Sequence, residues 1–214
     1  MDAKEIAALV LPLFIIPLTL FSVLAFGHDA GNLIIGSCFL IGIARFADKK
    51  ERRFMIILAV LATIFETVNI AAGSYRYIGT ALPPVWIPLG WGVVGLYLLR
   101  NVPFFKRIEN RPAFALAFLM YVCTWAITGF STGGLIAAIL AVAGIYALSL
   151  ASGFPVAFFM YSAFMGILIE SAGTSSGVWT YFGPDGAAVA PALAGLGMAY
   201  SAIIAFGLWA SSVE

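Results

Sequence analysis

Two carboxylates lie inside long apolar stretches, Glu66 within FETVNIAAGSYRY and Glu170 within IESAGTSSGVWTYFG. Every other acidic residue falls in a polar loop or close to a terminus. An apolar surrounding disfavours the ionised carboxylate, so we expect both side chains to be held as neutral acids that can donate a proton. If the two acids approach each other, their repulsion would leave one as an acid and the other as a base. We therefore predict that Glu66 and Glu170 form a catalytic acid–base pair.

Small and aromatic residues follow each acid at helical spacing, and a helix would align them on one face with the carboxyl group. The stripe could hold an apolar substrate, with aromatic faces stabilising a developing positive charge. Three alternatives stay open: the glycines could serve helix packing, the aromatic residues could form an interfacial belt, and the two acids could simply hydrogen-bond across helices. The predicted substrate-binding residues are Asn69, Gly73, Tyr75, Tyr77, Trp86, Trp91, Gly173, Gly177, Trp179 and Tyr181.

The composition is that of an integral membrane protein, with 63% hydrophobic and 10% charged residues and a mean hydropathy of +1.05. A net charge of +1 argues against nucleic acid as a partner. Cys38 and Cys123 both lie in apolar runs, and His28 lies in a predicted loop, so we expect neither a disulfide nor a metal site. Phosphate-binding loops, dinucleotide fingerprints and nucleophile elbows are missing, and no cofactor is expected.

Apolar runs bounded by Gly, Pro or charge predict an all-α membrane protein with about eight transmembrane helices. The N-terminal run is long enough to span and lacks a signal-peptidase motif, so we interpret it as the first helix. Prolines in LPPVWIP are expected to start and kink the fourth helix. The predicted spans are 6–26, 31–47, 54–74, 84–100, 113–130, 133–150, 154–174 and 187–211.

Positive charge predicts the orientation of these helices, because Lys and Arg are retained on the cytoplasmic side. If the N-terminus is cytoplasmic, every Lys and Arg except Arg76 falls on the cytoplasmic side, including the clusters DKKERR and KRIENR. Arg76 would then anchor the outer surface by reaching the headgroup region. We therefore predict a plasma-membrane protein with both termini in the cytoplasm.

The two halves of the sequence are similar when one is shifted by 104 residues. This shift pairs Glu66 with Glu170, and a shift shorter by one residue pairs Tyr97 with Tyr200. The aligned positions predict one membrane domain built from two four-helix repeats, residues 1–104 and 105–214. Since four helices return the chain to its starting side, the repeats would be parallel, related by an axis along the membrane normal. The other aligned pairs are Gly73 and Gly177, Tyr75 and Trp179, Tyr77 and Tyr181, Gly79 and Gly183, Pro88 and Pro191, and Gly92 and Gly195.

The motif order resembles a membrane-embedded carotenoid biosynthesis family that includes bisanhydrobacterioruberin hydratase. The residues that carry the resemblance are Glu170, Gly173 and Gly177 from the second half, with Tyr75, Tyr77, Pro84, Ile87, Pro88, Leu89 and Trp91 from the first. The resemblance implies cofactor-free addition of water to a terminal double bond of a polyisoprenoid.

Three function classes follow from these features. The first is an acid–base enzyme that hydrates or cyclises an apolar isoprenoid or carotenoid within the membrane, with lipid and the apolar substrate as its partners. The second is a proton- or cation-coupled transporter that binds its cargo between repeats. The third is an accessory subunit of a membrane complex.

Overall fold

The computed structural model describes residues 3–108, 115, 119, 132–182, 188–189 and 193–211, and helices dominate this part of the chain. The fifth predicted span, residues 113–130, lies outside the described residues apart from Ala115 and Leu119, and so does Cys123. The elements are α1 (Ala3–Phe26), α2 (His28–Ile41) continued by a π-helical turn (Gly42–Phe46), α3 (Lys49–Ala71), β1 (Tyr75–Tyr77), α4 (Trp86–Arg100), α5 (Val102–Phe105), α6 (Thr132–Ser152), α7 (Val156–Ser176), β2 (Trp179–Phe182), β3 (Ala188–Val189) and α8 (Leu193–Ser211).

Three of the described helical segments are long and apolar enough to cross a membrane: His28–Phe46, Lys49–Ala71 and Val156–Ser176. The predicted membrane character is therefore confirmed at this level. The number of eight spans and the positions of the termini stay predictions.

The described chain divides into two compact units. The first unit contains residues 1–99, 172–190 and 207–214, and the second contains 100–171 and 191–206.

Helix α3 begins at a capping box and buries one stripe of side chains. The Asp48 carboxylate accepts the backbone N–H of Glu51 at 2.9 Å, and the Glu51 carboxylate accepts the backbone N–H of Asp48 at 2.8 Å. These two contacts satisfy two of the helix's free N–H groups, which fixes its start. The buried positions Met55, Leu58, Ala62 and Glu66 recur every three or four residues, so Glu66 lies on the inward face.

Small residues of the first unit allow other helices to approach α3 closely. A Cβ at Gly92 of α4 would overlap the Phe39 ring, and one at Gly95 would overlap Leu58. At Gly207 of α8, the Leu58 side chain would be 2.7 Å from such a Cβ. Glycine at these positions therefore allows closer packing between helices than a larger residue would.

Helices α3 and α7 end with the same hydrogen-bonded turn. After α3, Ser74 N–H donates to Asn69 C=O at 2.9 Å, and Gly73 N–H donates to Ile70 C=O at 2.9 Å. After α7, Val178 N–H donates to Gly173 C=O at 3.0 Å, and Gly177 N–H donates to Thr174 C=O at 3.1 Å. Gly73 and Gly177 have φ of 72° and 77°, the left-handed conformation that this Schellman turn requires.

A small antiparallel sheet of order β1-β2-β3, which the analysis of apolar runs does not predict, follows these turns. The register pairs Tyr75 with Tyr181, Arg76 with Thr180, and Tyr77 with Trp179. The alternating aromatic residues in YRY and WTYF are a period-2 pattern, which is the sequence signal for such short strands.

The chain leaves α1 at Gly27, whose φ of 80° breaks the helix, and α2 begins at His28 rather than at the predicted residue 31. Pro88 lies in the first turn of α4, where the missing N–H breaks no helical hydrogen bond. The predicted place of the prolines at the start of this helix is thus observed, and the kink stays a prediction.

Candidate active site

Glu66 is the centre of a buried polar cluster in the first unit. The side chain is 5% exposed. The Tyr77 hydroxyl donates to Glu66 Oε2 at 2.7 Å, and the Tyr75 hydroxyl donates to the same oxygen. Two O–H donors on one carboxylate oxygen stabilise its ionised form, because they replace the water that burial removes.

The path by which Tyr77 reaches Glu66 differs from the prediction. A continuous helix would place Tyr77 about 16 Å along the axis from Glu66. Instead α3 ends at Ala71, and the left-handed Gly73 reverses the chain. Strand β1 then returns toward the helix end, so that both tyrosines contact the carboxylate. The prediction that Tyr77 continues the helical face of Glu66 is therefore wrong, although its proximity to Glu66 is observed.

Four aromatic rings share the face of the sheet that carries Tyr75 and Tyr77. The ring centroids of Tyr75 and Tyr181 are 5.1 Å apart, those of Tyr77 and Trp179 are 5.7 Å apart, and those of Tyr75 and Tyr77 are 5.8 Å apart. Alternation along the strands puts all four on one face. The faces of such rings attract positive charge, so the cluster joins a carboxylate to a surface that suits a cation.

The predicted glycines and Asn69 support this cluster without contacting the carboxylate in any described bond. Gly173 is buried, and a Cβ there would overlap the Trp179 indole. Gly73 and Gly177 form the turns that start β1 and β2. Asn69 donates its side-chain N–H to the Phe65 carbonyl at 2.8 Å, which holds it against its own helix.

Glu170 belongs to the second unit and has its own tyrosine. The side chain is 8% exposed, and the Tyr200 hydroxyl of α8 donates to its Oε1 at 3.1 Å. Gly166 lies under the Tyr200 ring, where a Cβ would overlap the ring atoms. Tyr200 is not among the predicted site residues, although the shift of 103 residues pairs it with Tyr97. That Glu66 and Glu170 meet stays a prediction.

Trp86 and Trp91 are buried in α4. The Trp86 indole N–H donates to His28 Nδ1 at 3.2 Å, and His28 Nε2 lies 2.6 Å from the Ile78 carbonyl oxygen. A carbonyl only accepts, so Nε2 carries the proton and Nδ1 is free to accept from the indole. His28 therefore ties α4 to the segment after β1, a role that the sequence analysis did not predict.

A cleft of about 730 Å³ lies along β1. Its wall includes Tyr75 and Tyr77, the two residues that hold Glu66, together with Arg76 from the opposite face of the strand. The strand that carries the two donors of Glu66 thus borders the cleft. The remaining lining residues are Ile70, Gly73, Ile78, Gly79, Thr80, Ala81, Gly177, Thr180 and Phe182.

Among the described residues, no group of three His, Cys, Asp or Glu side chains could hold a metal ion. Comparison of the chain with protein-family models, curated proteins and solved structures found no match to any of them.

Proposed function

We propose that the protein is a cofactor-free acid–base enzyme that protonates a double bond of an apolar isoprenoid or carotenoid within the membrane. The observation that carries this proposal is the buried cluster in which the Tyr75 and Tyr77 hydroxyls both donate to Glu66 beneath four aromatic rings. A carboxyl group, two phenols and four aromatic rings form a set that can deliver a proton and then stabilise a carbocation.

The chemistry can be written as a cycle of the Glu66 proton. In the protonated state, Glu66 gives its proton to the Tyr77 oxygen while the Tyr77 hydroxyl proton passes to an alkene carbon. The alkene π electrons form the new C–H bond, and the neighbouring carbon becomes a carbocation. The ionised Glu66 then accepts the Tyr75 and Tyr77 O–H groups, which the structure brings to its Oε2, during the time that its proton resides on the substrate.

Water completes a hydration by attacking the carbocation through its oxygen. The proton that the bound water loses returns through the phenol to Glu66, which restores the starting state. A cyclase would differ only in the second step, where another double bond of the substrate attacks the carbocation. The adjacent C–H bond then breaks, its electrons form a new double bond, and its proton returns through the phenol to Glu66. Glu170 with Tyr200 is the second carboxyl and phenol set in the proposal.

The proposed architecture is two parallel four-helix repeats with both termini in the cytoplasm. The matching ends of α3 and α7 support it, since each hydrogen bond of one turn has its counterpart 104 residues later. The register of β1 and β2 gives independent support. A two-fold axis through the Arg76 and Thr180 pair, perpendicular to the sheet, exchanges Tyr75 with Trp179 and Tyr77 with Tyr181. These are the pairs that the sequence shift aligns.

The proposal is tested by incubating the purified protein with an acyclic polyisoprenoid in detergent micelles and following the product by mass spectrometry. We expect Glu66→Gln to lower product formation about 10²- to 10⁴-fold, the usual contribution of a general acid–base group. A mass gain of one water indicates hydration, and an unchanged mass with a new retention time indicates cyclisation. Glu170→Gln tests the second acid in the same way.

Asp29→Asn is the matched control, because Asp29 is an exposed acid in the first turn of α2. It should leave product formation unchanged. Equal product from the wild type, Glu66→Gln and Asp29→Asn would refute the catalytic assignment.

A further inference from the structure

The face of the sheet opposite the aromatic cluster presents one charged side chain. Arg76 and Thr180 are opposite each other across β1 and β2. The Arg76 guanidinium carbon lies 4.9 Å from the centroid of the Phe182 ring. Phe182 is the diagonal neighbour on the other strand, so the ring backs the guanidinium and leaves its N–H groups to face outward.

This guanidinium lines the cleft along β1, and it is the one charged group among the described residues that do so. Gly73, Gly79 and Gly177 also line the cleft, and a Cβ placed at any of them would have nothing within 4 Å. The wall beside Arg76 is therefore open backbone rather than packed side chain. An anionic group has both space and a charge partner there.

An apolar groove of about 380 Å³ lies along helix α3. Thr63 is its one polar lining residue among those described, and the Thr63 hydroxyl donates to the Ala59 carbonyl of its own helix at 2.8 Å. The groove therefore offers a hydrocarbon surface. Its lining residues are Phe39, Ile56, Ala59, Val60, Thr63, Pro83, Val85, Pro88 and Leu89.

Residues of one stripe of α3 line both the groove and the cleft. Val60 and Thr63 line the groove, Ile70 lines the cleft, and Thr67 lies between them at the same helical spacing. Thr63 and Ile70 are seven residues apart, which is about 10 Å along the axis. The segment 78–85 borders both spaces, with residues 78–81 at the cleft and Pro83 and Val85 at the groove. An extended hydrocarbon chain in the groove would thus lead to a headgroup in the cleft.

We propose that the cleft binds the phosphate group of a lipid at Arg76 while the apolar chain of that lipid lies in the groove. A guanidinium offers paired N–H donors that match phosphate oxygens. The proposal goes beyond the acid–base function and does not depend on it, because neither Arg76 nor the groove takes part in proton transfer. An isoprenyl phosphate and a phospholipid headgroup share the recognised chemistry.

The test is direct binding to the full-length protein in a non-ionic detergent, followed by native mass spectrometry. The probes are geranylgeranyl phosphate, geranylgeraniol, phosphatidic acid and inorganic phosphate. We expect one-to-one binding of geranylgeranyl phosphate, with affinity at least about tenfold higher than that of the neutral alcohol. Binding of phosphatidic acid with the same dependence on Arg76 would assign the site to phospholipid headgroups. Preferential binding of geranylgeranyl phosphate would assign it to isoprenoids. Either result supports a lipid phosphate site at Arg76.

Substitutions at three exposed residues make the test specific. Arg76→Gln should weaken binding of the lipid phosphates about tenfold, with Arg76→Lys intermediate. Val60→Trp should weaken the probes that carry a chain by filling the groove. Arg53→Gln, at the other end of α3, is the control and should leave binding unchanged. Any of three results would overturn the proposal. Wild type and Arg76→Gln could bind the lipid phosphates with equal affinity, geranylgeranyl phosphate and geranylgeraniol could bind equally well, or inorganic phosphate could bind as tightly as the lipids.

Discussion

Glu66 shows how a carboxylate can be placed inside an apolar helix bundle without remaining unpaired. Its Oε2 accepts both Tyr75 and Tyr77 hydroxyls, and the tyrosines are themselves only 5% exposed. A buried charge of this kind is costly when its donors are removed. The two tyrosine hydroxyls thus supply the hydrogen bonds that the apolar surroundings of Glu66 do not.

Tyr77→Phe is expected to destabilise the protein, because it removes one donor from a buried carboxylate and leaves the packing of the ring intact. The expected loss is about 1–3 kcal/mol of unfolding free energy. Denaturant titration in mixed micelles measures it. Product formation should fall as well, since the proposed proton path runs through this phenol.

Tyr146→Phe is the matched control for this substitution. Tyr146 is 46% exposed and Tyr77 is 5% exposed, so removing the Tyr146 hydroxyl should change the unfolding free energy less than Tyr77→Phe does. If the two variants lose the same amount, the bond between Tyr77 and Glu66 does not stabilise the fold.

At the scale of elements, the ends of α3 and α7 position the site. Each helix stops at a left-handed glycine, turns, and enters a strand whose aromatic residues face back over the helix. The two strands then pair through equivalent bonds. Ile78 N–H donates to Val178 C=O at 2.8 Å, and Phe182 N–H donates to Ser74 C=O at 2.8 Å.

Gly73→Ala and Gly177→Ala should each destabilise the protein by about 1–2 kcal/mol, because a Cβ is strained at positive φ. Nothing lies within 4 Å of either added Cβ, so the backbone conformation alone causes the loss. Both losses should be similar if the two turns are equivalent. Denaturant titration of the single variants provides the measurement.

Gly36→Ala in α2 is the control for these substitutions. Its added Cβ would meet only the Leu89 side chain, at 3.9 Å, which is an ordinary contact. Alanine has the higher helix propensity, so the variant should be unchanged or stabilised by up to about 1 kcal/mol. Equal destabilisation by Gly36→Ala and Gly73→Ala would contradict the role assigned to the left-handed turn.

At the scale of the whole molecule, charge and apolar length predict that α3 crosses the membrane. Lys50 lies at the start of the helix in the basic segment, and Ala81 lies beyond its end in an exposed loop. In a background with Cys38 and Cys123 replaced by Ala, Lys50→Cys and Ala81→Cys should react with a membrane-impermeant maleimide from opposite sides. We expect labelling of Ala81→Cys from outside intact cells and of Lys50→Cys only after the membrane is opened, as the positive-inside rule requires. Labelling of both from the same side would refute a crossing by α3.

Much of this arrangement was predictable, because it depends on local chemistry. Apolar runs indicate where helices form, since a chain in lipid must satisfy its own backbone hydrogen bonds. Glu66 stands out as a candidate site residue because an acid in such a run needs a partner. Tyr75 and Tyr77 were predicted near it, although by continuing the helix rather than by reversing the chain. The pairing of Tyr77 with Trp179 required the register of two strands about a hundred residues apart, which no local pattern specifies.

The sequence by itself determined the apolar helices and the two embedded acids, because each follows from the solvation of a short stretch of chain. Only the tertiary structure decided that two phenols share one oxygen of Glu66, that His28 binds Trp86, and that Arg76 lines a cleft. These contacts join residues that the chain brings together by reversing direction, and their distances are set by packing between elements rather than by spacing along any one of them.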